Sequence, residues 1–213
     1  MSKLIENIQS LMTSIPPTVS LVIATKYATS DDVNAIASNF PTIAFGENRV
    51  QQGEEKQSEA IQNPWHFIGH LQRNKVKKVI QTYQLIQSVD SERLANEINK
   101  ASKSHGVVTP ILLQVNPSND PNKFGFTAPE LLDTIHKIEP LQHISINGLM
   151  SMAPLTNDEQ LTKKTFKKTR NLYDKLISSG LPLQHLSMGM SNDYKLAIDE
   201  GSNMIRIGKL VFS

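Results

Sequence analysis

The chain has 213 residues, with 22 Lys and Arg against 20 Asp and Glu, and no cysteine. A formal net charge of +2 lacks the basic excess of a nucleic-acid binder. The missing thiol excludes disulfides, thiolate metal sites and a cysteine nucleophile. The length suits one compact domain, residues 1–213, and 38% apolar residues can build its core.

Met1 to Ile15 reads as an amphipathic helix, with Leu4, Ile5, Ile8, Leu11 and Met12 at helical spacing. It lacks the long apolar core of a signal peptide, and no apolar run reaches the length of a membrane span. The expectation is therefore a cytoplasmic protein. Val19 to Thr25 is a β-rich run, and Ser30-Asp31-Asp32 starts a helix to about Asn39. Strand and helix then alternate. Thr42–Phe45 is followed by a helix over Asn48–Ile61, Trp65–Ile68 by a helix over Arg73–Gln81, and Leu85–Ser88 by a helix over Ser91–Ser104. Thr109–Val115 leads to Thr127-Ala128-Pro129-Glu130, a capping box with proline in the first turn, opening a helix to Ile138. Ile144–Leu149 precedes a long helix over Asn157–Ser179. Gln184–Ser187 and Asn203–Ile207 are the last strands, with Ser191 placed to cap a helix over Asn192–Glu200 between them.

Strands alternating with helices predict a parallel sheet, and eight such units predict a closed α/β barrel of the (β/α)8 TIM type. The N-terminal helix is an extra element, placed to fill the outer ring where little chain follows the eighth strand. The one segment able to host a domain boundary is the Pro117–Lys123 loop.

In such a barrel the active site lies at the C-terminal ends of the strands, and the loops after strands seven and eight are the usual phosphate site. Ser187-Met188-Gly189-Met190-Ser191 and Arg206-Ile207-Gly208 supply small residues, a hydroxyl and a guanidinium at those two exits. A phosphorylated ligand is the first hypothesis. Ser191 also reads as a plain N-cap, and Arg206 as a surface ion pair, although alternation with Ile205 and Ile207 turns it to the other face of its strand. Lys26 ends the first strand, Leu21-Val22-Ile23-Ala24-Thr25, where partial desolvation would free its amine for a Schiff base; the bland alternative is an exposed lysine. Tyr27, if still in the strand, points to the opposite face. Asn48 either faces a ligand or caps a helix. His66 and His70 are four apart, but a strand between them would keep them from converging on a metal. The basic run Arg73, Lys75, Lys77, Lys78 reads as a solvated helix face.

Ala24-Thr25-Lys26, Phe45-Gly46-Glu47-Asn48, Trp65-His66-Phe67-Ile68-Gly69-His70-Leu71-Gln72, Gly148-Leu149-Met150, Ser187-Met188-Gly189-Met190-Ser191 and Arg206-Ile207-Gly208, in that order, resemble the pyridoxal phosphate homeostasis protein family. The resemblance runs from Val19 to Phe212. It implies a single barrel related to the N-terminal domain of alanine racemase. It also implies pyridoxal 5′-phosphate (PLP) as cofactor, a Schiff base on Lys26, and Ser191, Arg206 and Gly208 at the phosphate end. Asn48 and Lys209 complete the expected cofactor contacts, with no catalytic and no metal-ligating residue assigned. Lys209 stands where the family usually has threonine, and Phe212-Ser213 where a glycine is usual.

The resemblance implies a PLP carrier or regulator in PLP and amino-acid homeostasis, with free amino acids and PLP-dependent apoenzymes as partners. A monomer is the default expectation, since no exposed apolar patch can be read from the sequence, and the charge balance and apolar runs predict neither nucleic acid nor membrane as a partner. Alanine racemases draw a second base, a tyrosine, from a C-terminal domain that this sequence does not show, so efficient two-base racemisation is not expected. A low-activity PLP-dependent racemase is the alternative function, and a Schiff-base aldolase acting through Lys26 a further one.

Overall fold

The computed structural model describes residues 2–57, 62–120 and 123–213. Eight parallel strands close into a barrel in simple sequential order, β1 to β8, with β1 also paired to β8. They are β1 Ser20–Ala24, β2 Ala44–Glu47, β3 Trp65–Phe67, β4 Leu85–Val89, β5 Thr109–Val115, β6 Ile144–Ser151, β7 His185–Ser187 and β8 Met204–Ile207. The outer ring contains α1 Lys3–Ser14, α2 Ser30–Asn39, α3 Val50–Lys56, α4 Val76–Thr82, α5 Glu92–His105, α6 Ala128–Ile138, α7 Glu159–Ser178, α8 Tyr194–Asp199 and the single turn α9 Lys209–Phe212. The expected (β/α)8 architecture is present.

Period-two alternation sorts the side chains of each strand between two cores. Ile23, Phe45, Phe67, Ile86, Ile111, Leu149, Leu186 and Ile205 face outward and merge with the apolar stripes of the helices. Val22, Leu85, Leu112, Met150 and Met204 fill the lumen. Several helix starts follow directly from sequence. Thr29 with Asp32, and Thr127 with Glu130, form reciprocal capping boxes, and Ser91 and Asp158 each accept from a first-turn N–H. Helix α1 buries Ile5, Ile8 and Leu11, and the Asn7 amide donates to the carbonyls of Val211 and Ser213, so α1 does occupy the space beside the short α9.

Four local expectations are corrected. Helix α3 starts at Val50 behind Arg49 rather than at Asn48, because the Asn48 and Arg49 amides are drawn onto the Glu47 carboxylate at 2.6 and 3.2 Å. Residues 58–61 of that expected helix lie outside the described residues. The Arg73 helix opens as a 3-10 turn before α4. Lys26 and Tyr27 are not strand residues but part of a 3-10 turn, Thr25–Tyr27, so alternation no longer sets their directions. Ser191 caps no helix. Gly189, at φ +97°, turns the chain, and Asp193 closes the loop by accepting from the Met190 N–H at 2.6 Å, so α8 begins only at Tyr194.

The seam between β7 and β8 is built differently from the other strand pairs. Its ladder reduces to one register pair, Ser187 with Met204. Three backbone bonds flank it, from the Met188, Asn203 and Arg206 N–H groups to the Met204, Leu186 and Gly189 carbonyls, and side chains add further ties. Asn203 accepts from the Leu186 N–H at 2.7 Å and donates to the Gln184 carbonyl at 2.7 Å. The buried Ser202 hydroxyl lies within donor range of the Leu186, Met188 and Met204 carbonyls. Arg206 donates to the Ser187 carbonyl at 3.0 Å.

Candidate functional site

All six residues expected at the site lie at the C-terminal end of the barrel: Lys26 after β1, Asn48 after β2, Arg206 near the end of β8, Ser191 in the loop after β7, and Gly208 and Lys209 after β8. Strand β8 lies beside β1, with Ile207 level with Ile23, which brings the Lys26 turn against the Gly208 turn. A Cβ on Gly208 would lie 3.3 Å from Ala24 Cβ, so the absence of a side chain allows that close approach. Ser191 Oγ accepts long hydrogen bonds from the Gly208 N–H at 3.4 Å and the Leu210 N–H at 3.3 Å. A hydroxyl and two backbone donors thus converge between the ends of β7 and β8, a set suited to an anion.

Lys26 is exposed, contrary to the expectation that strand-end burial would hold it partly out of water, and its Nζ lies 5.4 Å from the centroid of the Tyr27 ring. Its backbone is nonetheless firmly held. Thr25 is buried and its hydroxyl is shared between Glu47 Oε2 at 2.7 Å and the Gly46 carbonyl at 3.1 Å. Lys56, from α3, donates to the Thr25 carbonyl at 2.6 Å and to Glu47 Oε2 at 3.2 Å. Glu47 is fully buried, and its oxygens accept from Thr25, Lys56 and the amides of Asn48 and Arg49. A buried carboxylate is tolerated only with such complete pairing. Glu47 and Lys56 were not singled out from sequence; the available signal was a carboxylate closing the apolar strand Ala44-Phe45-Gly46-Glu47.

Arg206 points into the lumen, not to a surface ion pair. It is 4% exposed, and its guanidinium donates to Ser187 Oγ at 2.6 Å, the Ser187 carbonyl at 3.0 Å and the Ser151 carbonyl at 2.9 Å. Burial pushes it down to about 10, with the charge of Asp193 acting in the opposite direction. Burial also raises Asp193, against the pull of its bond to the Met190 N–H and of Arg206. A cation therefore lies beneath the anion-suited loop pair. Asn48 is exposed on the far side of the Lys26 turn, where a Cβ on Gly69 would lie 2.1 Å from its carbonyl oxygen. Lys209 is exposed at the start of α9. His66 and His70 do diverge: His66 contacts Gln87 in the lumen, whereas His70 pairs with Asp90 at 3.1 Å and stacks on Phe124.

An eight-stranded parallel barrel with a lysine after its first strand and an anion-suited loop pair after its last two defines a class, and the family model for the alanine racemase N-terminal domain matches residues 1–213. An alanine racemase structure from Clostridium difficile 630 superposes with a TM-score of 0.82 at 19% identity, over 99% of this chain and 55% of that chain, which is a likeness of fold alone. A pyridoxal phosphate homeostasis protein from Synechocystis sp. (strain ATCC 27184 / PCC 6803 / Kazusa) is 38% identical over 217 residues, covering 95% of this chain and 94% of the relative. PipY of Synechococcus elongatus PCC7942, solved with PLP bound, superposes with a TM-score of 0.92 at 32% identity, over 99% of this chain and all of that one. The chain belongs to the pyridoxal phosphate homeostasis protein family.

Proposed function

We propose that this protein binds PLP at the C-terminal mouth of the barrel and serves PLP and amino-acid homeostasis as a carrier or regulator, acting as a single monomeric domain. The observation that carries the reading is the juxtaposition of Lys26 with the Ser191–Gly208 cradle, held by the pairing of β1 and β8. The residues present fit the cofactor. Lys26 offers an amine for covalent attachment. Ser191 Oγ and the Gly208 and Leu210 amides offer a phosphate site, with Lys209 adding charge at its edge. Arg206 contributes a buried cation behind them, and Asn48 flanks the opposite side. When bound, PLP supplies an electrophilic carbon and an electron-withdrawing ring. This chain's residues hold the lysine backbone rigid and neutralise the anionic end.

Free amino acids and PLP-dependent apoenzymes are the proposed partners, because an exposed Lys26 leaves the attachment point open to incoming amines. A cytoplasmic setting belongs to the same reading. Among the described residues, no helix is long and apolar enough to cross a membrane.

The test is a visible spectrum and intact mass of protein mixed with PLP, before and after borohydride reduction. A stable adduct mapped to Lys26 is expected. An adduct mapped wholly to another lysine, or none, would overturn the assignment.

A further inference from the structure

The lumen has a second end. A cavity of 690 Å³ opens where the strands begin, opposite the Lys26 mouth. Met12, Ile15 and Pro16 cover one side of it, and His66, Asn147 and His185 reach it from the strands. Ala44 lines it from β2, and Val22, Leu85 and Met204 line it on the side of the lumen. Gly148 packs so tightly that a Cβ would lie 1.9 Å from the His185 carbonyl oxygen.

A hydrogen-bonded relay joins this cavity to the other mouth. Arg206 donates to Ser187 Oγ at 2.6 Å, Ser187 Oγ donates to Gln87 Oε1 at 2.7 Å, and Gln87 Nε2 meets His66 Nδ1 at 3.0 Å. Arginine can only donate, and this fixes the direction of the chain. Ser187 accepts from Arg206 and passes its own proton to Gln87. The Gln87 amide then donates to His66, whose Nδ1 must carry a lone pair. The imidazole proton is therefore on Nε2. Among the described residues Nε2 has no hydrogen-bond partner, while the ring is 8% exposed and lines the cavity. The Nε2–H group is therefore free to donate to an acceptor held in the cavity.

The lining states what that acceptor is. Among the described residues, no Asp, Glu, Lys or Arg lines the cavity. Helices α1, α2 and α4 end beside it, at Ser14, Asn39 and Thr82, and their carbonyl ends disfavour an anion. Burial keeps both histidines neutral, with His66 lowered to about 4 and His185 also lowered. A cation would meet the positive end of the His66 N–H. The matching ligand is neutral, with a carbonyl oxygen for His66 and an apolar body for the methionine and proline walls.

We propose that the N-terminal mouth of the barrel is a second small-molecule site, taking a neutral carbonyl compound on His66 Nε2, and that its occupancy is transmitted through Gln87 and Ser187 to Arg206. The regulatory meaning of that coupling rests on the PLP reading above; the binding itself does not.

The test titrates ε-caprolactam, a neutral ring with one strong acceptor, into ¹⁵N-labelled protein without PLP. Side-chain resonances of His66 and Arg206 are followed together. Both are expected to shift and saturate in parallel. His66→Phe is expected to weaken binding about tenfold, the equivalent of about 1.4 kcal/mol for one lost hydrogen bond. Ser20→Leu, at an exposed rim position that tolerates change, should block entry and abolish saturation even if the His66 variant fails to fold. The proposal is overturned if no resonance saturates, if binding survives in the variants, or if His66 saturates while Arg206 stays fixed. Since no PLP is present, failure here is distinct from failure of the cofactor site.

Discussion

Thr25 Oγ1 lies 2.7 Å from Glu47 Oε2, and the same carboxylate oxygen receives Lys56 Nζ at 3.2 Å. The residue just before Lys26 is thereby fixed to the neighbouring strand and to α3 by an ionic network that water barely reaches. Glu47→Gln leaves Lys56 without its countercharge. The expected loss of stability is about 3 kcal/mol, in line with breaking a buried pair from one side. Urea denaturation of Glu47→Gln, Lys56→Met and the double variant forms a cycle, in which the double variant should recover part of the loss. Strict additivity would show that the two side chains do not act together.

Lys26→Ala removes the proposed attachment point without touching the core, because the side chain is exposed. Stability should stay within about 0.5 kcal/mol of the parent, as for ordinary surface substitutions. The borohydride-stable PLP adduct should vanish. An adduct of undiminished yield in this variant would place the covalent chemistry on another residue.

Arg206→Ala has two expected consequences. PLP binding weakens by about 1.5–3 kcal/mol, the usual worth of a hydrogen bond involving a charged group. The Ser187 hydroxyl and the Ser151 carbonyl also lose a donor inside the lumen, so the melting temperature falls. Ser191→Ala separates the two effects: it should weaken PLP binding while leaving the lumen intact. Equal PLP affinity in both variants and the parent would move the phosphate elsewhere.

His66 predicts a pH dependence. Burial, reinforced by His185, lowers it from 6.5 to about 4 in the folded protein. Below about pH 6.5 the unfolded chain takes up a proton that the folded chain refuses. Stability from this group is thus complete at neutral pH and is lost as pH falls toward 4, by about 3 kcal/mol over the whole window. The urea midpoint should drop between pH 7 and pH 4.5, and His66→Phe should flatten that drop. A midpoint that is level or rises on acidification contradicts the assignment.

The alternation of apolar strands with capped helices was enough to read the barrel, since Thr127-Ala128-Pro129-Glu130 and Ser91 are local signals that the fold obeys. The mouth was legible in part. Lys26, Ser191 and Gly208 stand out because strand ends and small-residue loops announce themselves. What sequence did not show depends on contacts between distant segments. Glu47 and Lys56 meet only because α3 folds back over β2. Gln87 meets Ser187 across the lumen, a hundred positions away. The Ser191 cap was misread for a related reason: Asp193 competes for the same turn and closes it first, freeing the serine hydroxyl for the β8 exit.

The thin seam between β7 and β8 has a kinetic meaning. With one register pair, three flanking backbone bonds and a set of side-chain ties, it has a shorter ladder than β5 with β6, so its amides should exchange with solvent ahead of those in β5 and β6. Ser191 hangs from one side of the seam and Gly208 from the other. An anion gripping both would act as a clasp across this short join, and its arrival should appear as slowed deuterium uptake in those two strands rather than as any visible movement of the chain.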